Sequence, residues 1–147
     1  MSHAVLLDAG PLGLLTNPAR SPAGAACAEW LSELLASGVR VLLPEVADYE
    51  VRRELLRAGK VTGLAWLDTL GRTVDYLPLT TVAMRRAAEL WAEARRRGLP
   101  TADRHALDGD VILAAQALTL GVEVVVATTN VAHLGRFVAA AEWADIA

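Results

Sequence analysis

The chain has 147 residues, of which 54% are apolar and 21% charged, and its formal net charge is −3. These values are typical of a single globular domain spanning 1–147 and exclude disordered, collagen-like and coiled-coil chains. The lone Cys27 cannot form an internal disulfide. Neither a basic leader nor a run of membrane length occurs, which predicts a cytoplasmic protein with no membrane partner. Because the net charge is negative, binding of a polyanion would need a local basic patch or bound cations.

The first half of the chain alternates short apolar runs with helical patterns. The runs are too short for helices and are stopped by turn-forming residues, which is typical of buried strands. In chain order the predicted elements are a strand at 4–7, a turn at 8–11, a helix at 21–37, a strand at 39–43 stopped by Pro44, and helices at 45–58 and 60–70.

The second half continues the alternation. Thr80 and Thr81 stand where a helix N-cap belongs. In chain order the predicted elements are a strand at 73–77, a helix at 82–97, a loop at 98–105, a helix at 107–120, a strand at 122–127 and a short helix around 138–143. Apolar strands that alternate with helices predict a doubly wound α/β/α sandwich with a central parallel sheet of four to five strands. Ligands of such folds bind at the carboxyl ends of the strands.

Oxygen-bearing side chains follow these predicted strand ends. Each has an ordinary alternative role: Asp8 in a turn, Glu50 on a salt-bridged helix face, Asp108 or Asp110 as an N-cap, and Asn130 in a turn or cap. Asp108 and Asp110 cannot both cap one turn, so the second carboxylate needs another partner. Together, hard oxygen ligands without His or Cys favour Mg²⁺ or Mn²⁺, ions that act on phosphate esters.

Four segments, at 5–9, 44–51, 110–115 and 127–133, resemble in this order the PIN domain family. The resemblance spans nearly the whole chain and implies a PIN-like fold. It places a metal-binding and catalytic site at Asp8, Glu50, Asp110 and Asn130, with Thr129 in support and Asp108 as an additional acidic group. Glu45, Glu50 and Glu54 compete for one role, and spacing after Pro44 favours Glu50.

The activity that the resemblance implies is that of a Mg²⁺- or Mn²⁺-dependent endoribonuclease. Such proteins are commonly the toxin components of VapBC-like type II toxin–antitoxin systems, form homodimers and are blocked by a cognate antitoxin. Arg52 and Arg53 are candidate contacts to the RNA substrate. Asn130 stands where many members have Asp, which lowers the negative charge of the site. Whether the site binds one metal ion or two is left open.

Two other functions remain open from sequence. One is a non-catalytic PIN-like module that binds RNA or protein, which Asn130 favours and the three acids Asp8, Glu50 and Asp110 oppose. The other is a stand-alone PIN nuclease of RNA processing. Phosphate-binding glycine loops are absent from the sequence, and Gly10 stands where a haloacid-dehalogenase-type phosphatase needs its second Asp.

Overall fold

A computed structural model describes residues 3–98 and 104–147, with only the backbone described for 104–106. Within these ranges the chain forms one sheet of five strands. They are β1 (Ala4–Leu7), β2 (Val41–Pro44), β3 (Asp75–Leu77), β4 (Val124–Thr128) and β5 (Ala140–Glu142).

Helices follow the strands and cover the sheet. They are α1 (Ala9–Thr16), α2 (Pro22–Ala36), α3 (Glu45–Arg57), α4 (Val61–Thr73), α5 (Thr81–Arg96), α6 (Arg104–Leu118) and α7 (Val131–Leu134), and a 3₁₀ turn follows at Trp143–Asp145. Thr80 caps α5 as predicted, because its side chain accepts a hydrogen bond from the Ala83 amide at 3.0 Å. None of the helices in the described ranges combines the length and the apolar character needed to cross a membrane.

The strand order is β3-β2-β1-β4-β5, and every pairing is parallel. The chain runs outward from β1 to β3 and returns to β4 on the other side of β1. Strand order therefore reverses between β1 and β4, where Leu7 pairs with Ala127. Ligands of doubly wound sheets bind in the crevice at the carboxyl ends of such strands, so the residues after β1 and β4 share the expected location.

Alternate residues of β1 enter opposite cores. Val5 and Leu7 pack with α1, α2, α3 and α4 on one face of the sheet, whereas Ala4 and Leu6 pack with α6 and α7 on the other. A third apolar cluster joins α5 to α6. The result is the predicted α/β/α sandwich, with both faces of a continuously apolar central strand buried.

The segment after β1 is a helix, not the predicted turn. Asp8 is the N-cap of α1, and its side chain accepts a hydrogen bond from the Ala9 amide at 2.7 Å. Pro11 is tolerated because the first amides of a helix have no partner within the helix. Gly10 and Pro11 are thus compatible with a helix start, although they also favour a turn.

The carboxyl-terminal prediction was wrong. The predicted helix around 138–143 is instead β5, which pairs with β4 in the register Ala127 to Ala141. The short helix α7 comes earlier, directly after β4. Sheet pairing is a tertiary contact that overrides the weak local preference of this alanine-rich segment.

The predicted loop at 98–105 is wrong at its end, where α6 begins at Arg104. The part at 99–103 lies outside the described residues. Smaller differences shift strand and helix ends: β2 includes Pro44, α4 continues to Thr73, and β4 begins at Val124. Such boundary shifts leave the topology unchanged.

Candidate functional site

Asp8 lies at the switch point of the sheet and both of its carboxylate oxygens are held. Oδ1 caps α1, and Oδ2 accepts a hydrogen bond from the Thr128 hydroxyl at 2.7 Å. Burial raises the pKa of this carboxyl, and the bonds from Thr128 and Ala9 act in the opposite direction. The end of β4 thus fixes the orientation of the acid that follows β1.

Glu50 reaches the same place from the second turn of α3. It lies so close to the backbone of α6 that a Cβ atom built on Gly109 would be 3.0 Å from Glu50 Oε2. Burial raises the pKa of Glu50, the charges of Asp8 and Asp110 raise it further, and the charge of Arg53 lowers it. Glu50 therefore shares its electrostatic surroundings with the other two acids.

The competing glutamates have other partners. Glu45 accepts a hydrogen bond from the Leu79 amide at 2.7 Å, which ties the start of α3 to the segment after β3. Glu54 is exposed and pairs with Arg57 at 2.9 Å. Of the three glutamates, the structure brings Glu50 to the aspartates.

Asp110 faces Asp8 from α6. Burial, followed by the negative charge of Asp8, raises its pKa to about 6, while the charges of His133 and Arg136 lower it. The prediction that 108–110 opens this helix was wrong, because α6 begins at Arg104 and Asp110 lies in its second turn. Neither Asp108 nor Asp110 is needed as an N-cap there.

Asp108 is exposed. It borders a cavity of about 410 Å³ beside Glu50, together with Tyr49 and Arg53. Its predicted place among metal ligands stays a prediction.

The residues after β4 divide their roles differently from expectation. The hydroxyl in contact with Asp8 belongs to Thr128, which is fully buried. Thr129, to which the sequence analysis gave a supporting position, is exposed, and its hydroxyl lies against Gly10. Asn130 is also exposed, and its side-chain amide lies 2.8 Å from His133 Nδ1.

The two candidate RNA contacts have different surroundings. Arg52 is held by two carboxylates, Asp48 at 2.9 Å and Asp68 at 2.8 Å. Arg53 lies with its guanidinium carbon 5.0 Å from the centre of the Tyr49 ring and acts electrostatically on Glu50. Arg53 is therefore the arginine adjacent to the acids.

Sequence reasoning missed Asp48, a buried acid at the centre of a small network. It accepts hydrogen bonds from Arg52 Nε at 2.9 Å and from the Tyr76 hydroxyl at 2.6 Å. Burial and the neighbouring Asp48 raise the pKa of Tyr76. The spacing of Asp48 and Arg52 along α3 was a visible signal, whereas the contacts to α4 and β3 depend on the tertiary structure.

Solved structures share this architecture. A chain in the structure of VapBC2 from Rickettsia felis bound to a DNA fragment from their promoter matches with a TM-score of 0.73 and 15% identity, covering 95% of this chain and 98% of that one. Chains of VapBC-1 from nontypeable Haemophilus influenzae and of DNA-bound VapBC from Salmonella typhimurium match with TM-scores of 0.70 and 0.68, at 15% and 18% identity, covering 97% of this chain and 99% of each of those. The fold is PIN-like. No protein-family model and no curated protein matches the sequence.

The donor set of this PIN-like chain suits a hard divalent cation in its chemistry. Asp8, Glu50 and Asp110 supply carboxylate oxygens whose mutual repulsion a cation would relieve. Within 3–98 and 104–147, however, no three or more His, Cys, Asp or Glu side chains are spaced as a ready-made metal site. Mg²⁺ commonly binds through one or two carboxylates and retains several waters, so the oxygens at this edge fit it without a closed protein cage.

Proposed function

We propose that this chain is a Mg²⁺- or Mn²⁺-dependent endoribonuclease that hydrolyses RNA phosphodiester bonds as the toxin component of a VapBC-like type II system in the cytoplasm. The observation that carries the proposal is the convergence of three acids from distant segments. Asp8 directly follows β1, Glu50 lies on α3 and Asp110 on α6, and the three act electrostatically on one another at the switch point of the sheet. Partly buried acids that raise one another's pKa are candidates for a functional site.

Asp8 and Asp110 would hold the cation, with Glu50 as a further ligand or as the group that orients a water, and Asp108 as an additional acid. When bound, the cation supplies the Lewis acidity and positive charge that phosphodiester hydrolysis requires. In-line attack of water would leave a 5′-phosphate and a 3′-hydroxyl. Thr128 keeps Asp8 in a single orientation through its hydrogen bond at 2.7 Å.

Cationic and polar groups border the acids and would position the RNA. Arg53 acts on Glu50, whereas His133 and Arg136 act on Asp110. We assign the phosphate contacts to these three residues, and a weaker one to Arg52, whose charge Asp48 and Asp68 already neutralise. Asn130 and Thr129 would position the substrate from the end of β4. A local set of cations lets a chain of net charge −3 bind a polyanion.

The proposed partners are an antitoxin and a second copy of the chain. The matched solved structures are of VapBC complexes, and this supports a cognate antitoxin that covers the acids. Exposed Met84 and Trp91, beside a second cavity of about 410 Å³ between α5 and α6, offer apolar area for such contacts. Light scattering of the purified protein, alone and with the product of a neighbouring gene, tests both assemblies.

Cleavage of RNA by the purified protein tests the proposal directly. We expect single-stranded RNA of mixed sequence to be cut in Mg²⁺ or Mn²⁺ and to stay intact in EDTA. Asp8→Asn and Asp110→Asn should each reduce the rate by about 10²- to 10³-fold, the loss typical when one electrostatic stabiliser is removed. The matched control is Asp75→Asn at the other end of the sheet, where an exposed acid pairs with Arg40; it should retain wild-type activity.

Two outcomes would replace the proposal. Folded wild-type protein that binds RNA but leaves it intact with every metal would favour the non-catalytic module, which the exposed Asn130 also supports. Metal-dependent cleavage without toxicity on expression would favour a stand-alone RNA-processing nuclease.

A further inference from the structure

A cavity opens beside Glu50, one of the three acids. It has a volume of about 410 Å³ and is bordered by Glu50 on α3 and by Asp108 and Gly109 on α6. Its floor includes the buried Val46. The cavity is large enough for a small organic group, and it is reached from the edge that carries the acids.

An aromatic ring and an arginine line this cavity together. Tyr49 is 59% exposed, so its ring is accessible from solvent. The guanidinium of Arg53 lies over that ring, with its central carbon 5.0 Å from the ring centre. Both groups are flat and polarisable, and unpaired nucleobases stack on tyrosine rings and on guanidinium planes alike.

The charge of the cavity decides which part of an RNA enters it. Glu50 and Asp108 place carboxylates on its wall, and these would repel a phosphate. A base is uncharged and presents both a flat apolar face and polar edges. The cavity therefore fits the base, while the phosphates would lie outside it, at the cation that the acids would hold and near the cationic groups beside Asp110.

We propose that this cavity is a nucleobase subsite, in which an unpaired base of a single-stranded RNA stacks on Tyr49 and Arg53 while a neighbouring phosphate lies at the acids. The inference rests on the proposed ribonuclease function and assigns this cavity to one base of the RNA substrate. A base-paired duplex would not enter, because its bases are stacked on one another and cannot reach the ring.

Binding of labelled oligonucleotides separates base contacts from backbone contacts. The probes are a fluorescein-labelled hexaribonucleotide of mixed sequence and a hexamer of the same backbone without bases. Binding is measured by anisotropy with Ca²⁺ in place of Mg²⁺, and a denaturing gel verifies that the RNA stays intact. The variants are Tyr49→Ala, Tyr49→Leu and Tyr49→Phe, with Arg53→Lys to retain the charge but remove the plane.

We expect Tyr49→Ala and Tyr49→Leu to weaken binding of the intact RNA by about fivefold to a hundredfold, the range found when one base-stacking ring is removed. Tyr49→Phe should retain wild-type affinity, because it keeps the ring, and Arg53→Lys should give a smaller loss. The three Tyr49 variants should bind the baseless hexamer as the wild type does. Because Tyr49 is exposed, these variants should fold, and thermal unfolding verifies it.

The subsite is overturned if Tyr49→Ala binds intact RNA as tightly as the wild type, or if it loses equal affinity for both probes. The first result would leave the cavity to a protein segment. Cleavage assays on the same samples distinguish this failure from failure of the proposed function. If the wild-type protein cleaves RNA but Tyr49→Ala shows no base-dependent loss of binding, only the subsite is excluded. If binding depends on the bases but no RNA is cleaved, only the nuclease activity is excluded. If the wild-type protein binds neither probe, both the subsite and the proposed ribonuclease function are excluded.

Discussion

Single hydrogen bonds at the end of β4 determine how the first acid of the site is presented. Asp8 uses one oxygen to cap α1 and the other to accept from Thr128, so its carboxylate cannot turn freely. Sequence alone placed Asp8 and the hydroxyl residues after β4 at one edge. From the sequence, Thr129 was the residue predicted to support the site. The structure shows that β4 ends at Thr128, which is fully buried, so the hydroxyl of Thr128 is the one that faces inward.

Replacing Thr128 with valine tests how much its hydrogen bond to Asp8 stabilises the fold. Thr128→Val keeps the shape of the side chain but leaves the buried Asp8 oxygen without its donor, and the Asn130 amide without the hydroxyl that accepts from it at 2.8 Å. We expect the free energy of unfolding to fall by about 1.5–3 kcal/mol, as for a hydrogen bond to a charged group, in urea titrations at pH 7. Thr129→Val is the matched control at an exposed hydroxyl and should change stability by less than about 0.5 kcal/mol. Equal effects of the two would contradict the assignment.

Gly109 provides room for Glu50 inside a helix. A Cβ at this position would lie 3.0 Å from Glu50 Oε2 and 3.3 Å from its carboxyl carbon, so Gly109→Ala must displace the carboxylate. We expect RNA cleavage to fall by about tenfold to a hundredfold, as for a small displacement of a catalytic group.

Gly13→Ala supplies the control for Gly109→Ala. Gly13 lies in α1 with nothing within 4 Å of an added Cβ. This variant should gain about 0.5–1 kcal/mol of stability from helix propensity and retain full activity. Wild-type cleavage by Gly109→Ala would show that Glu50 does not depend on this space.

At the scale of elements, α3, which carries Glu50, is anchored to both β3 and α4. Asp48 in its first turn accepts from Tyr76 on β3 and from Arg52, and Arg52 also pairs with Asp68 on α4. This network anchors the helix two residues before and two residues after Glu50. The sequence predicted α3 correctly and placed Glu50 on it, but it could not show the anchor, because the partners lie on two other elements.

Removing the Tyr76 hydroxyl should weaken this anchor. Tyr76→Phe leaves one oxygen of the buried Asp48 without a donor that now lies 2.6 Å away. We expect a loss of about 1–3 kcal/mol in the free energy of unfolding, measured in urea. Tyr49→Phe, which removes an exposed hydroxyl from α3, should change stability little. A stable Tyr76→Phe protein would show that Asp48 is satisfied by Arg52 alone.

Elements that depend on long-range pairing limited the sequence analysis. The core strands and the long helices were predicted because their apolar patterns are local. The strand β5 was predicted as a helix, since its alanines carry no strand signal until they pair with β4. The helix α1 was hidden by Gly10 and Pro11, which fit a turn as well as a helix start.

For the whole molecule, repulsion among the three acids lowers the free energy of unfolding, and a bound cation would remove this repulsion. The pKa of Asp110 rises from 3.8 to about 6 on folding, so the folded state holds more protons than the unfolded state between these values. Stability of the metal-free protein should therefore decrease as pH rises from about 4 to about 6, and then stay level. The contribution of Asp110 is about 1 kcal/mol after allowance for solvent screening of a half-exposed group.

Asp110→Asn tests this linkage by thermal unfolding across pH. In EDTA at pH 7 the variant should be more stable than the wild type, and its stability should decrease less between pH 4 and pH 6. In Mg²⁺ the order should reverse, because a bound ion stabilises only the folded wild type by mass action. A variant that is less stable in EDTA would show that the acid is not strained in the folded protein.

We propose that Asp8, Glu50 and Asp110 form one cation-binding site at the switch point of the sheet. Calorimetric titration of Mn²⁺ into the wild-type protein, Asp8→Asn and Asp110→Asn, with Asp75→Asn as control, tests it most directly. We predict saturable binding to the wild type and control that is weakened by at least about tenfold in both site variants. Mn²⁺ binding that is absent from folded wild-type protein, or equally tight in all four, would contradict the account.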